Sequence, residues 1–268
     1  MRPRKSAAFW SWTRLGFIAD GVFFFALALG FAFGVPWVTA LWRWLEAPIA
    51  NGYFAAILAS FGAGSLLLAW SGEWRAATGG TAALIITCLG FAAHAAVRSA
   101  LGADDALMIH AAVLAFVAAL AASTLLTSMK SDLSDTRSVP RGLRHFFLVF
   151  SLLVLACGIA LLVGAPGIMP WKLAVQTSLL IGWIFVGLSV EYAYVALRGK
   201  LPDARILLVG FLVYGAMFVL PLLQHIGAVE PDYLLSLIAN VGVLVLSMPL
   251  AIFYLTIARA MRPITSAN

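Results

Sequence analysis

The chain has 268 residues, of which 63% are hydrophobic and only 10% charged, and its mean hydropathy is +1.01. A water-soluble domain of this size needs far more charge at its surface, so soluble enzymes and nucleic-acid-binding modules are excluded. The formal charge of +6 belongs instead to helix ends, where Lys and Arg set orientation and meet anionic lipid.

Eight apolar stretches fill the chain, over residues 15–36, 48–70, 78–100, 106–128, 145–165, 173–197, 204–225 and 233–258. Each meets the demand of about 20 predominantly apolar residues that a helix needs to cross a bilayer. None alternates with period two, which excludes a membrane barrel. The expected class is an all-α polytopic membrane protein, a single transmembrane domain over residues 1–268. The longest connection runs from Met129 to Arg144, too short for a globular domain.

Taken in order, the first stretch follows "MRPRK" but carries Asp20, lacks a small-x-small cleavage site and is too long for a signal peptide. It ends in "GVP" at Gly34 to Pro36. The second holds "FGAG" at Phe61 to Gly64. The third holds Cys88, and His94 and Arg98 one turn apart on a single helix face. His110 opens the fourth, whose "AAVLAFVAALAAS" at Ala111 to Ser123 is a small-residue face that lets helices approach closely. His145 and Cys157 lie in the fifth, which ends in "GAP" at Gly164 to Pro166. The sixth carries Gln176, Thr177, Ser178, Trp183 and Glu191, the seventh Pro221, Gln224 and His225, and the eighth Asn240 and Pro249. Both cysteines fall mid-span and read as small core residues.

Of the basic residues, fourteen fall on one side of the predicted spans and only Arg43, Arg98 and Lys172 on the other. The positive-inside rule then places both termini in the cytoplasm of a bacterial-type inner membrane, in agreement with an even span count. The outer loops are acidic, through Glu46, Asp104, Asp105, Glu230 and Asp232. Trp10, Trp12, Trp70 and Trp74 fit an inner aromatic belt, and Trp37, Trp42, Trp44 and Trp171 an outer one.

The chain resembles itself at an offset of 130 residues. Arg14 matches Arg144, Phe17 matches Phe147, "GVP" matches "GAP", Gly52 matches Gly182, Glu73 and Arg75 match Asp203 and Arg205, and Gly80 matches Gly210. Two four-helix repeats, approximately 14–128 and 144–259, joined by a cytoplasmic linker at 129–143, are therefore expected. An even number of spans makes them parallel, related by a pseudo-twofold axis along the membrane normal. A shared site would lie between them. Neither copy carries a family motif.

Ionisable groups within spans are costly, which makes them the first candidates for function. Asp20 and Glu191 sit at similar depth near the cytoplasmic side. At the offset of 130, Asp20 faces Phe150 and Glu191 faces Phe61, so the symmetry breaks there. They read either as a cation or proton site, or as acids paired with an arginine such as Arg14, Arg198 or Arg205. On the outer side, His94, Arg98 and His225 are expected to line a solute path. The alternatives are haem or metal held by His94, His110 and His225, or plain interfacial histidines. The residue pattern shows no phosphate loop, metalloprotease pair, nucleophile elbow or deep lysine, and no catalytic residue is nominated. The leading expectation is a small-solute or ion permease, with no cofactor and no nucleic-acid partner. A haem- or metal-handling protein, and an assembly or signalling partner contacting a second copy or another membrane protein, are the alternatives.

Overall fold

The computed structural model describes residues 7–44, 47–102 and 106–260. Glu46, Asp104 and Asp105, and the basic residues Arg2, Arg4, Lys5 and Arg262, lie outside the described residues. Eight long helices make up the molecule: α1 (Ala7–Ala32), α2 (Pro48–Ser71), α3 (Ala77–Ala100), α4 (Ala106–Met129), α5 (Arg141–Leu162), α6 (Val175–Arg198), α7 (Leu201–His225) and α8 (Leu234–Ala260). All eight are long and apolar enough to cross a membrane, which fits an integral membrane protein, and no strand occurs among the described residues.

Six of these helices follow the expected stretches within about three residues, while α1 and α5 are displaced toward their N-termini. The cause is shared. Gly34 and Gly164 stand in the left-handed region, with φ of +62° and +75°. Behind the first, the Val35 N–H donates to the Gly30 carbonyl at 2.8 Å and the Gly34 N–H to Phe31 at 3.1 Å. Behind the second, Ala165 donates to Ala160 at 2.9 Å and Gly164 to Leu161 at 3.1 Å. This paired i−5 and i−3 pattern closes a helix and satisfies its last carbonyls, and glycine alone adopts that φ without strain. "GVP" and "GAP" are therefore stop signals rather than the ends of spans. The polar first turn of α5 is helical because Pro140, extended at ψ 143°, ends the preceding segment.

The helices stand in two rows. In one, α1 packs on α2, α2 on α7 and α7 on α8; in the other, α4 packs on α3, α3 on α6 and α6 on α5. Glycine brings seams together. A Cβ on Gly62 would sit 3.0 Å from the Gly21 carbonyl oxygen, and one on Gly158 3.0 Å from that of Gly182. Lipid supplies little hydrophobic drive between helices, so such close backbone approach carries the packing.

At one end of the rows, the far side, a buried aromatic cluster joins them. Trp42 lies 5.4 Å from Phe91, and Tyr53 lies 5.6 Å from Trp171 and 5.5 Å from Phe218 between ring centroids. At the other, the linker side, residues 130–140 strap the turns together. Ser138 pairs with Lys200 in an antiparallel bridge, with Val139 donating to Gly199 and Leu201 to Arg137, both at 2.9 Å. The buried Glu73 carboxylate accepts from the Ser134 and Asp135 amides, each at 3.0 Å, and from the Ser134 hydroxyl. Asp135 in turn holds Arg137 at 2.7 Å and Arg205 at 3.2 Å. The Arg137 hydrogen bonds hold the Asp135 carboxyl below the usual aspartate range, against the opposing effect of its partial burial.

The belt reading fails for three tryptophans. Trp42, Trp74 and Trp171 are buried. Trp74 stacks on Phe17 at 5.3 Å rather than facing headgroups. Position at a helix end fixes the depth of a side chain, while packing decides whether it points inward.

Candidate functional site

Between the two rows lies a cavity of about 850 Å³ with walls from all eight helices. Helical spacing generates each wall. On α1 the lining positions are 13, 16, 17, 20, 23 and 24, and on α7 they are 206, 207, 210, 211 and 214, single faces of 3.6-residue helices. Eleven aromatic rings line it, from Phe17 on α1 to Tyr214 on α7, and α4 adds Ser and Thr hydroxyls.

Two carboxylates line the cavity, Asp20 and Glu191, and no Lys, Arg or His does so among the described residues. Asp20 is exposed on α1 and accepts a 2.5 Å hydrogen bond from the Ser65 hydroxyl of α2. Glu191 is only 7% exposed, and no hydrogen-bond or ion-pair partner meets it among the described residues. Its carboxylate fits beside α3 because Gly79 and Gly80 leave space. A Cβ on Gly80 would come within 3.1 Å of Glu191 Oε1. Of the three arginines offered by the sequence, two are engaged elsewhere, Arg198 with Asp203 at 3.1 Å and Arg205 with Asp135 at 3.2 Å, and Arg14 is exposed and off the cavity wall.

The outer set is not on the cavity wall. His94, Arg98 and His225 are half-buried and line none of it. The His94 Nδ1 accepts from Trp183 Nε1 at 3.2 Å. His225 Nε2 meets the Pro170 carbonyl at 3.1 Å. His110 bridges the Ala106 and Leu41 carbonyls at 2.8 and 3.0 Å, edge-on to Trp42 and Trp44. No group of three His, Cys, Asp or Glu side chains suited to a metal occurs among the described residues. Of the other polar residues marked on the outer half, Thr177 and Ser178 are buried and Asn240 lines the cavity.

Sequence reasoning missed the aromatic wall. Tyr192, Phe211 and Tyr214 belong to it, with Tyr192 stacked on Phe211 at 5.6 Å. The signal was present as spacing on α7 but does not distinguish a cavity face from a lipid face. Compared with family models, with curated proteins and with solved structures, the chain gives no match.

Proposed function

We propose that this protein is a small-solute or ion permease whose site is the cavity between two parallel four-helix repeats, with both termini cytoplasmic in a bacterial-type inner membrane. One observation carries the reading: a cavity walled by eight helices long and apolar enough to cross a membrane holds two carboxylates with no basic side chain to neutralise them among the described residues. An uncompensated acid inside a membrane protein is expensive and marks a path for a cation or proton.

Three features support the duplication. Exchanging α1–α4 with α5–α8 turns one row of helix neighbours into the other. The hydrogen bonds behind Gly34 and Gly164 correspond atom for atom at an offset of 130. The five cavity positions 76, 77, 80, 81 and 84 on and just before α3 correspond at the same offset to the five on α7. The orientation rests on the basic residues, which gather on the linker side.

The test is flux in proteoliposomes, with protons, sodium, potassium and small organic amines offered in turn under an imposed potential. Saturable movement of a cation, reduced ~10-fold or more in Glu191→Gln, is the expected result. Absence of flux across the panel, or equal flux in Glu191→Gln, refutes it.

A further inference from the structure

We propose that the cavity binds a hydrophobic organic cation, admitted from the bilayer through a side window between α1 and α4, with Glu191 as its buried counter-charge. The proposal rests on the permease reading for the transport step after binding, while the binding site itself stands on four observations.

The first is Glu191. The residue is more than nine-tenths buried, and its carboxylate is unpartnered and on the cavity wall. A bound cation relieves that isolation, because a charge in a low-dielectric site is tolerated when paired.

The second is the wall. Aromatic faces attract a cation within about 6 Å of the ring and shelter an apolar body. Tyr192, Phe211 and Tyr214 share the cavity with Glu191. A divalent metal ion wants several oxygen ligands, commonly more than one carboxylate, and no group of three His, Cys, Asp or Glu side chains suited to a metal occurs among the described residues.

The third is charge. No basic residue lines the cavity among those described. A phosphate therefore has no ion-pair partner there, which disfavours zwitterionic and anionic lipids and leaves a net cation. A volume of about 850 Å³ lies in the range that takes a drug-sized molecule.

The fourth is access. Phe23 on α1 and Leu120 on α4 line the cavity and are nonetheless 58% and 54% exposed, both mid-way along their helices. Helices α1 and α4 form no packed seam. A side chain at mid-span that is both wall and exterior marks an opening toward lipid. The exposed Asp20 carboxylate stands on the same face of α1. At the opposite end, Leu153 on α5 is likewise wall and 51% exposed, but the position matching Asp20 is Phe150. The charge directs a cation to the α1–α4 window.

The experiment uses the full chain in lipid nanodiscs and radiolabelled tetraphenylphosphonium, whose charge does not depend on pH, with triphenylphosphine oxide as the neutral competitor. Saturable tetraphenylphosphonium binding that the neutral compound does not displace is expected. Glu191→Gln is expected to weaken it by at least ~10-fold, and Asp20→Asn by ~3-fold, as befits an exposed charge. Leu120→Trp, which fills the window, is expected to slow association. A wild-type measurement guards against a misfolded variant: dicyclohexylcarbodiimide, an apolar carboxyl reagent, is expected to label Glu191, and tetraphenylphosphonium to protect it. No saturable binding, displacement by the neutral compound, unchanged affinity in Glu191→Gln, an unlabelled or unprotected Glu191, or unchanged association in Leu120→Trp overturns the proposal. Glu191-dependent binding without movement in proteoliposomes refutes only the permease reading. Glu191-dependent flux of an inorganic cation without tetraphenylphosphonium binding refutes only this inference.

Discussion

The seam between α3 and α6 carries one wall of the cavity and offers a direct measure of how tightly the bundle is built. A Cβ placed on Gly187 would lie 2.5 Å from the Ala83 carbonyl oxygen and closer still to the Thr87 hydroxyl. The carbonyl is backbone in the neighbouring helix and cannot swing aside, and Thr87 is held by its own hydrogen bond to the Trp183 carbonyl at 3.1 Å. Gly187→Ala therefore forces the helices apart by ~0.5–1 Å, a displacement that forfeits a quarter to a half of the dispersion energy of each contact it opens. Overpacking of this kind costs ~1–3 kcal/mol, offset in part by up to ~1 kcal/mol from the better helix propensity of alanine. A net loss of ~1–2 kcal/mol is expected. Gly242 on α8 is the control, because nothing lies within 4 Å of a Cβ there. Gly242→Ala is expected to be neutral or to stabilise by up to ~1 kcal/mol. The assay is unfolding of both variants and the parent in matched detergent, followed by tryptophan fluorescence. If Gly187→Ala unfolds with or after the parent, the seam is not closed by glycine and the packing argument fails.

Thr177 is 1% exposed, accepts from Trp42 Nε1 at 3.1 Å and donates to the Trp44 carbonyl at 2.8 Å. Thr177→Val keeps its shape and is expected to cost ~1–3 kcal/mol in the same unfolding assay, by stranding a buried indole N–H. Glu73→Gln removes the charge that gathers the Ser134 and Asp135 amides, so tryptic cleavage at Arg137 is expected to accelerate, as followed by gel electrophoresis. Because Asp135 is held below its ordinary range, its contribution is complete above the unfolded value of about 3.9 and is lost only as pH falls through the lower folded one. Cleavage of the wild-type linker by a protease active at both pH values is accordingly expected to be equally slow at pH 5 and pH 7. Cys157 lines the cavity whereas Cys88 is buried off it, so a small membrane-permeant maleimide is expected to modify Cys157 first, as read by peptide mass spectrometry.

The spans were legible because length and hydropathy are dictated by bilayer thickness, a constraint written into every residue of a segment. Asp20 and Glu191 were legible as candidates for the same reason, since an acid in a span must face protein or water. Their surroundings were not. Ser65, which binds Asp20, stands 45 residues away on another helix, and a serine in an apolar run carries no mark of its partner. Phe23 and Phe218 are chemically identical in the sequence. One lines the cavity and is 58% exposed, and the other is completely buried. Two of the far-side histidines, His110 and His225, bind the carbonyls of Leu41 and Pro170. Backbone acceptors exist at every position, so no residue pattern announces them.

At the offset of 130 residues, each of the two acids on the cavity wall aligns with a phenylalanine that lines the wall as well: Asp20 with Phe150, and Glu191 with Phe61. Each row supplies one acid, Asp20 on α1 in the first and Glu191 on α6 in the second. A wall with carboxylates at all four positions would gather four like charges in a cavity without a basic side chain among the described residues, and in a low-dielectric interior their repulsion is felt at full strength. Phenylalanine at the two aligned positions removes half of that charge and presents a π face, which would attract the proposed cation without titrating. On the proposed reading, the outcome is a graded path rather than a symmetric trap. An exposed acid stands on α1 at the proposed window, and a buried, unpartnered one lies in the interior beside Gly79 and Gly80. The helix faces fix where the wall positions fall. On the proposed reading, the asymmetric placement of two charges on that wall decides from which side a cation approaches and where it stops.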